Sequence, residues 1–214
     1  MDDLRGMTTI AIATFDGFNE LDSLVALSLI NRVRRPGWRA VLACPTETVT
    51  SMNGVTVRAQ LPLDEVAGAA AVLIGSGLET REIVADDAMM ARLAIDPSRQ
   101  LVGAQCSGAL VLAAKGLLRG VPACTDLTTR PWLAEAGVEI LDRPFHARGD
   151  VATAGGCLAS VYLAAWTIAR LAGDEAARAA VHYVAPVGEK DETVRRVMAV
   201  IAPFQQEVRL SGHR

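Results

Sequence analysis

The chain has 214 residues, 51% of them hydrophobic, which is enough to build one large core, so we predict a single domain over residues 1–214 with flexible ends at 1–7 and 205–214. The 21 lysines and arginines against 24 aspartates and glutamates give a formal net charge of −3, and because the charges are scattered we expect neither nucleic acid nor an anionic membrane as a partner. The first residues lack a signal-peptide pattern and no apolar run is long enough to span a bilayer, which predicts a cytoplasmic protein.

Apolar strands and helices alternate along the chain. The first half predicts a strand at Thr8–Thr14, a helix at Leu21–Val33 and a strand at Trp38–Cys44. A hairpin of Thr48–Thr50 and Val55–Val57 follows, with a primed turn at Asn53-Gly54. Next come a strand at Ala70–Ile74, a helical stretch to about Ile95 and a strand at Leu101–Gln105. The second half predicts a short helix at Pro131–Ala136, a strand at Val151–Thr153 and helices at Leu158–Leu171, Asp174–Val184 and Asp191–Ile201. The continuous apolar strands predict a parallel sheet covered on both faces, which is an α/β sandwich.

Cys106 lies at the junction between a predicted strand and a predicted helix. The apolar run Leu101–Gln105 ends at this cysteine, and an Ala/Leu-rich helical stretch follows it. Ala104 and Gly108, two residues before and after it, are small enough for the sharp turn of a nucleophile elbow. Because a helix N-terminus favours the thiolate, we expect a reactive thiol near neutral pH rather than a cysteine that only packs in the core.

The other three cysteines, Cys44, Cys124 and Cys157, are interpreted as structural. No two cysteines have the close C-x-x-C spacing of a metal or redox site, and a disulfide framework is not expected in a chain of this length. We therefore expect no metal site.

Three segments follow predicted strands: Phe15–Asp22, Gly75–Gly77 and Cys106-Ser107. Ligands of parallel α/β sheets bind outside the carboxyl ends of the strands. These segments are therefore the predicted functional site.

Side by side, these segments resemble the ThiJ/PfpI superfamily, also called the DJ-one-like proteins, and the resemblance covers nearly the whole chain. Phe15–Asp22 is similar to the family's first loop, which ends in an acid that contacts the cysteine, and Ala104–Gly120 is similar to its elbow, helix and following turn. Gly75–Gly77 stands where the family usually has Pro-Gly-Gly, and Thr153–Gly156 is similar to its Thr-Gly-Gly-Gly segment. The resemblance implies a three-layer, flavodoxin-like α/β sandwich of the class I glutamine amidotransferase type, and a homodimer formed through surfaces near the first helix.

Within the superfamily the chain is most similar to the isonitrile hydratases. These proteins end the first loop in Leu-Asp, matched by Leu21-Asp22, and have a threonine after the nucleophile, where this chain has Ser107. The resemblance implies hydration of a small uncharged isocyanide to an N-substituted formamide without a cofactor. By this interpretation Cys106 adds to the isocyanide carbon, Asp22 supplies or relays the proton, and water releases the product.

The chain departs from the wider superfamily at several positions. Asp126 stands where many members have a histidine, and Ser107 replaces the histidine that follows the nucleophile in the protease-like branch, so a Cys–His protease or amidotransferase is disfavoured. Tyr162 stands where the hydratases usually have an acid, which leaves the exact substrate open. The histidines lie far along the chain from the elbow or in the tail: His146, His182 and His213.

Asp22 has two interpretations. It is either the acid of the reaction or a favourable first-turn charge in a helix that Asn19 caps. Beside a thiolate its pKa should be raised, because like charges disfavour joint ionisation. Glu20, two residues earlier, is the alternative acid.

The predicted site has further members. Ser107 is assigned a catalytic role, with a hydroxyl that only satisfies the start of its own helix as the alternative. Gly77 is either a backbone N–H donor to developing negative charge or a turn glycine. Asp126 is either a pocket-wall group or a loop residue, and Ser76 and Glu20 complete the predicted binding residues.

Two other functions remain open at this point. The superfamily also hosts glyoxalase-type reactions on methylglyoxal. A non-enzymatic redox or ligand sensor, in which Cys106 is oxidised to a sulfinic acid, also requires an exposed thiol of low pKa.

Overall fold

The computed structural model describes residues 7–205, so the ends expected to be flexible lie outside the described residues except for Met7 and Gln205. The strands are β1 Thr8–Ala13, β2 Trp38–Cys44, β3 Thr48–Thr50, β4 Thr56–Arg58, β5 Leu61–Pro62, β6 Ala71–Ile74, β7 Leu101–Gln105, β8 Phe145–Arg148 and β9 Val151–Ala154. The helices are α1 Glu20–Ile30, α2 Thr80–Ala85, α3 Asp87–Arg92, α4 Gly108–Ala114, α5 Arg130–Glu135, α6 Ser160–Ala172, α7 Asp174–Val184 and α8 Lys190–Ile201. Short 3₁₀ segments occupy Leu63–Gly68, Cys157–Ala159 and Ala202–Phe204.

Within residues 7–205, seven strands form the central sheet in the order β5-β2-β1-β6-β7-β9-β8, and of these only β8 runs antiparallel to its neighbour. Its inner strands β2-β1-β6-β7-β9 follow the second-first-third-fourth-fifth order of flavodoxin-like sheets. The predicted α/β sandwich with a mostly parallel sheet is therefore confirmed.

The sheet has a hydrophobic core on each face, which makes three layers. Because side chains alternate along a strand, Ile10 and Ile12 of β1 pack on one face while Ala11 and Ala13 pack on the other. The first core lies against α1, α6, α7 and α8, and the second lies against α4, α5 and the 3₁₀ segment at Leu63–Gly68. Among the residues described, no helix combines the length and apolar character needed to cross a bilayer.

Three local predictions need correction. The helical stretch expected to run to about Ile95 is broken into α2 and α3, because the Asp86 side chain accepts hydrogen bonds from the backbone N–H groups of Ala88 and Met89 and so starts a new helix. The hairpin of β3 and β4 is confirmed, but its loop is longer than a two-residue primed turn and Asn53 does not have the positive φ that a type I′ turn requires. The edge strand β8 was not predicted.

The order of the strands fixes where a ligand can bind. Ala13 of β1 pairs with Ile74 of β6, and Ile74 pairs with Ala104 of β7, so the carboxyl ends of these three strands are level. The strand order reverses between β1 and β6, which is the switch point where ligands of such sheets bind. The three loops predicted to form the site therefore do meet at one edge of the sheet.

Candidate active site

Cys106 occupies a strained turn between β7 and α4. Its φ is +45°, and within residues 7–205 it is the only residue other than glycine with a positive φ. A left-handed conformation costs a residue with a side chain roughly 1–2 kcal/mol, so surrounding contacts must hold it. The Cys106 N–H donates to the carbonyl of Ala154 at 2.9 Å, and the Thr125 hydroxyl donates to the Cys106 carbonyl at 2.8 Å. The predicted sharp turn from strand to helix at Cys106 is confirmed.

Gly108 explains why the turn needs a small residue after the nucleophile. A Cβ atom at this position would lie 2.7 Å from the Gly75 carbonyl oxygen and 2.8 Å from that of Ile74. Both contacts are with backbone, which cannot swing aside as a flexible side chain can. The glycine therefore lets α4 start directly against the end of β6.

Asp22 is brought to the elbow by the first turn of α1. Asn19 caps this helix, accepting a hydrogen bond from the Leu21 N–H at 3.0 Å, so the predicted cap is confirmed. Asp22 itself is 0% exposed; the Ser76 hydroxyl donates to its Oδ2, and the Gln105 amide donates to its backbone carbonyl at 2.9 Å. Its Oδ1 is buried without a hydrogen-bond partner. Asp22 is therefore a buried carboxyl aimed at the site, and the cap at Asn19 serves to position it.

A second thiol belongs to the site. A carboxylate oxygen of Asp22 and the sulfur atoms of Cys106 and Cys157 all lie within 4.8 Å of one another. Cys157, which the sequence analysis interprets as structural, therefore lies beside Cys106 at the cavity. These three groups can hold a thiophilic ion such as Zn²⁺, so the argument from sequence spacing overlooked a ligand set assembled from three distant segments.

The two acidic groups at the centre of the site both hold their protons more tightly than usual. Burial, reinforced by the Asp22 carboxylate, raises the pKa of the Cys106 thiol far above its ordinary value. Burial therefore opposes the thiolate that the helix N-terminus is expected to favour. The pKa of Asp22 is raised, as predicted, although burial is the largest cause rather than the charge of a thiolate. Burial thus favours the protonated form of both groups.

A cavity of about 350 Å³ opens above the elbow. Its walls combine the two thiols with hydroxyl, amide and apolar side chains: Asn19, Met52, Ser76, Gly77, Leu78, Cys106, Ser107, Asp126, Thr128, Thr129, Trp132 and Cys157. Cys106 is only 3% exposed, so its sulfur is accessible to small molecules from this side and is otherwise enclosed. The cavity suits a small organic ligand.

The Ser107 hydroxyl is hydrogen-bonded to the Gly77 backbone and to the Thr80 hydroxyl on one wall of the cavity. The Gly77 N–H donates to the Ser107 Oγ at 3.2 Å, and the Thr80 and Ser107 hydroxyls lie 2.8 Å apart. The Gly77 N–H predicted to face developing charge is thus directed at Ser107 in this structure. Thr80 was not predicted, and it orients the Ser107 hydroxyl.

The remaining predicted residues divide between the cavity and its surroundings. The Glu20 carboxylate accepts hydrogen bonds from Ser51 and, at 2.9 Å, from Asn53, and these bonds lower its pKa. Glu20 therefore faces the hairpin loop, and the structure does not bring it to the cavity. Asp126 lines the cavity, and its carboxylate also accepts bonds from Thr128 and Thr129, so it is both a wall group and a loop-ordering residue.

Neither histidine in the described part of the chain lines this cavity. His146 lies in β8 with its ring edge-on to Phe204, and His182 lies in α7 beside Asp191. His213 lies outside the described residues. In the described part of the chain the acid beside the Cys106 sulfur is Asp22, and neither described histidine lies at this cavity.

Comparison with known proteins agrees with this geometry. A family described as the DJ-1/PfpI family matches residues 8–169. The fold is similar to that of a ThiJ/PfpI family protein from Pseudomonas syringae, with a TM-score of 0.75 and 20% identity over 94% of this chain and 88% of that chain. It is also similar to Drosophila melanogaster DJ-1beta, with a TM-score of 0.69 and 19% identity over 92% and 98% of the two chains.

A DJ-1 superfamily protein from Salmonella typhimurium has a TM-score of 0.68 and 24% identity over 92% of this chain and 98% of that chain. No curated protein matches the sequence. At these identities the likeness to solved structures concerns the fold, whereas the family match extends over most of the sequence, from β1 through the elbow to α6. The chain therefore belongs to the DJ-1/PfpI family.

Proposed function

We propose that the protein is a cysteine-dependent hydratase that converts an isocyanide into an N-substituted formamide. The sequence likeness supports this through Leu21-Asp22 at the end of the first loop and the hydroxyl of Ser107 after the nucleophile. The observation that carries the proposal is the Asp22–Cys106 pair, which is buried at the carboxyl end of the sheet with a carboxyl oxygen within 4.8 Å of the sulfur.

The chemistry of an isocyanide requires such a pair. The terminal carbon of R–N≡C must gain both a proton and a nucleophile before water can add. A thiol with a carboxyl beside it supplies both from one position, with the carboxyl as general acid and the sulfur as nucleophile. A free thiolate without a proton donor would supply only the nucleophile.

The first step forms two bonds at the same carbon. Asp22 transfers a proton to the isocyanide carbon, the Cys106 sulfur bonds to that carbon, and the thiol proton returns to Asp22, which gives a thioimidate, Cys–S–CH=N–R. Water then adds to the C=N bond, and collapse of the adduct breaks the C–S bond. The products are R–NH–CHO and the free thiol, so one isocyanide and one water give one formamide with no other reactant.

The surrounding residues keep the acid in place. The Ser76 hydroxyl donates to Oδ2 of Asp22, the Gln105 amide donates to the backbone carbonyl of the same residue, and an oxygen of this carboxyl lies within 4.8 Å of both sulfurs. Met52, Leu78 and Trp132 give the cavity its apolar surface, which suits an uncharged substituent on the isocyanide nitrogen.

A substrate panel tests the proposal. Purified protein is assayed with cyclohexyl isocyanide, an aryl isocyanide and methylglyoxal, and the formamide is followed by proton NMR. We expect turnover of the isocyanides, lost in Cys106→Ala and kept in Cys44→Ala, since Cys44 lies at the end of β2 and does not line the cavity. Turnover of methylglyoxal alone would identify a glyoxalase, and turnover of none of the three would contradict the hydratase.

A further inference from the structure

The proposed hydration leaves the second thiol of the cavity without a role. Cys157 has its sulfur within 4.8 Å of both the Cys106 sulfur and an Asp22 oxygen. It is partly exposed and lines the same cavity as Cys106. We propose that Cys157 is a resolving cysteine, which forms a reversible disulfide with Cys106 after a small hydroperoxide has oxidised Cys106.

The backbone brings Cys157 to the elbow through a close approach. At Gly155 a Cβ atom would lie 2.5 Å from the carbonyl oxygen of Thr125, so only glycine allows this segment to pass there. Gly156 then adopts a φ of +90°, which turns the chain into the 3₁₀ segment that starts at Cys157. Thr125 also donates to the Cys106 carbonyl, so one residue contacts both cysteine-bearing segments.

Asn19 fixes the position of the Cys157 sulfur. The Asn19 Oδ1 accepts the helix-capping bond from the Leu21 N–H, which directs the amide nitrogen of Asn19 the other way. That nitrogen donates to the Cys157 Sγ at 3.2 Å. The sulfur is thereby held at the cavity edge, facing the nucleophile.

The distance between the two sulfurs is compatible with a bond after side-chain rotation. A disulfide requires sulfurs about 2.05 Å apart, and the present separation is at most 4.8 Å. Cys106 is enclosed and strained, so the movement belongs to Cys157, which lies in a short, partly exposed 3₁₀ segment. Rotation of the sulfur towards Cys106 breaks its hydrogen bond with Asn19.

The oxidation balances in two steps. First, the Cys106 sulfur attacks the terminal oxygen of ROOH, the O–O bond breaks, and the thiol proton passes through Asp22 to the leaving alkoxide, giving Cys106–SOH and ROH. Second, the Cys157 sulfur attacks the Cys106 sulfur, the S–O bond breaks, and hydroxide leaves with the Cys157 proton as water. The two thiols lose two electrons, and the hydroperoxide is reduced to an alcohol and water.

The disulfide competes with further oxidation of Cys106. A sulfenic acid without a partner thiol is oxidised again to a sulfinic acid, which dithiols do not reduce. The neighbouring thiol reacts without diffusing to the site, so the disulfide forms first and blocks that route. A dithiol then restores both cysteines.

Peptide mapping tests the pair without relying on hydratase activity. Trypsin releases Cys106 in residues 100–115 and Cys157 in residues 149–170, so a disulfide joins two peptides that no other cysteine shares. Protein is treated with two equivalents of hydrogen peroxide, the amount that takes one thiol to a sulfinic acid, then alkylated, digested without reductant and analysed by mass spectrometry. We expect the cross-linked pair as the main product, and its loss after dithiothreitol.

Matched variants distinguish a disulfide between Cys106 and Cys157 from unspecific oxidation of thiols. Cys157→Ser should convert the product at Cys106 to a sulfinic acid that dithiothreitol does not reverse, and Cys44→Ala should leave the cross-link unchanged. Unchanged thermal unfolding of Cys157→Ser shows that the fold is intact. A wild-type protein that accumulates sulfinic acid at Cys106 while Cys157 stays alkylatable would overturn the proposal, as would identical oxidation products in wild type and Cys157→Ser.

Discussion

Replacing Asp22 with asparagine separates its catalytic role from its structural one. Asparagine has nearly the same size, its side-chain oxygen can still accept from Ser76, and the backbone bond from Gln105 is unaffected. What is lost is the transferable proton. Removing a general acid lowers turnover by about 10²–10⁴-fold, which corresponds to about 3–5 kcal/mol of transition-state stabilisation at roughly 1.4 kcal/mol per factor of ten.

Asp22→Asn should lower turnover but increase the stability of the protein relative to wild type as pH rises. The raised pKa of Asp22 determines this direction. Because the folded protein binds this proton more tightly than the unfolded chain, the wild type loses stability as pH rises from the ordinary value of 3.8 through the folded pKa. Within that window the slope is at most about 1.4 kcal/mol per pH unit for one proton. Asp22→Asn does not titrate, so its free energy of unfolding should rise relative to wild type as pH increases.

A nearby acid with the opposite shift is the control. The pKa of Glu20 is lowered by its bonds from Ser51 and Asn53, so the stabilising effect of its carboxylate is present above the ordinary value of 4.5 and is lost as pH falls through the folded pKa. Glu20→Gln should therefore become less stable than wild type towards neutral pH and keep its turnover. Urea unfolding across a pH series and kcat/KM for both variants give these quantities.

An Asp22→Asn variant with full activity would remove Asp22 from the mechanism. A variant that is less stable than wild type at neutral pH, by the roughly 0.3–1 kcal/mol of a helix-start charge, would show that the macrodipole rather than burial decides its energetics.

Three further outcomes follow from the structure. Limiting iodoacetamide should label Cys157, which is partly exposed at the cavity, before the buried core thiols Cys44 and Cys124, whose pKa values burial raises to about 11 and about 12; mass mapping showing the core thiols modified first would contradict this. Gly108→Ala should destabilise the protein by about 1–3 kcal/mol, because its methyl group meets backbone on two sides, whereas Gly68→Ala, with open space around its Cβ, should change the urea midpoint little. Burial lowers the pKa of His146, so stability should fall as pH drops below its ordinary value of 6.5, and this loss should be absent in His146→Phe; equal pH profiles for the two proteins would be inconsistent with it.

Much of the fold could be predicted because buried parallel strands have a strong local signal. The apolar runs at Trp38–Cys44 and Leu101–Gln105 end where the structure ends β2 and β7. β8 was missed because Phe145–Arg148 is a four-residue edge strand that contains His and Arg, and its short alternation is too weak to recognise. Its place in the sheet depends on pairing with β9.

The site could be predicted only where its residues carry a local pattern. The small residues around Cys106 and the acid at the end of the first loop were visible in the sequence. Cys157 was not, because its contact with Asn19 joins residues 138 positions apart. The one available signal was the pair Gly155-Gly156 directly before it, which marks a close backbone approach.

The ionisation of the site required the structure. A helix start predicts a lowered thiol pKa, but this argument takes no account of burial. Cys106 is 3% exposed and Asp22 is 0% exposed, so the desolvation of both groups dominates. Burial therefore favours the protonated forms of both groups and opposes the thiolate expected from the helix start.

The central claim is that Cys106, and not its neighbour Cys157, bonds to the isocyanide carbon. The most direct test is the rate of formamide formation from cyclohexyl isocyanide by wild type, Cys106→Ser and Cys157→Ser under reducing conditions, which keep both thiols free. We predict that Cys106→Ser abolishes turnover and that Cys157→Ser retains it. Turnover that persists in Cys106→Ser would contradict the account.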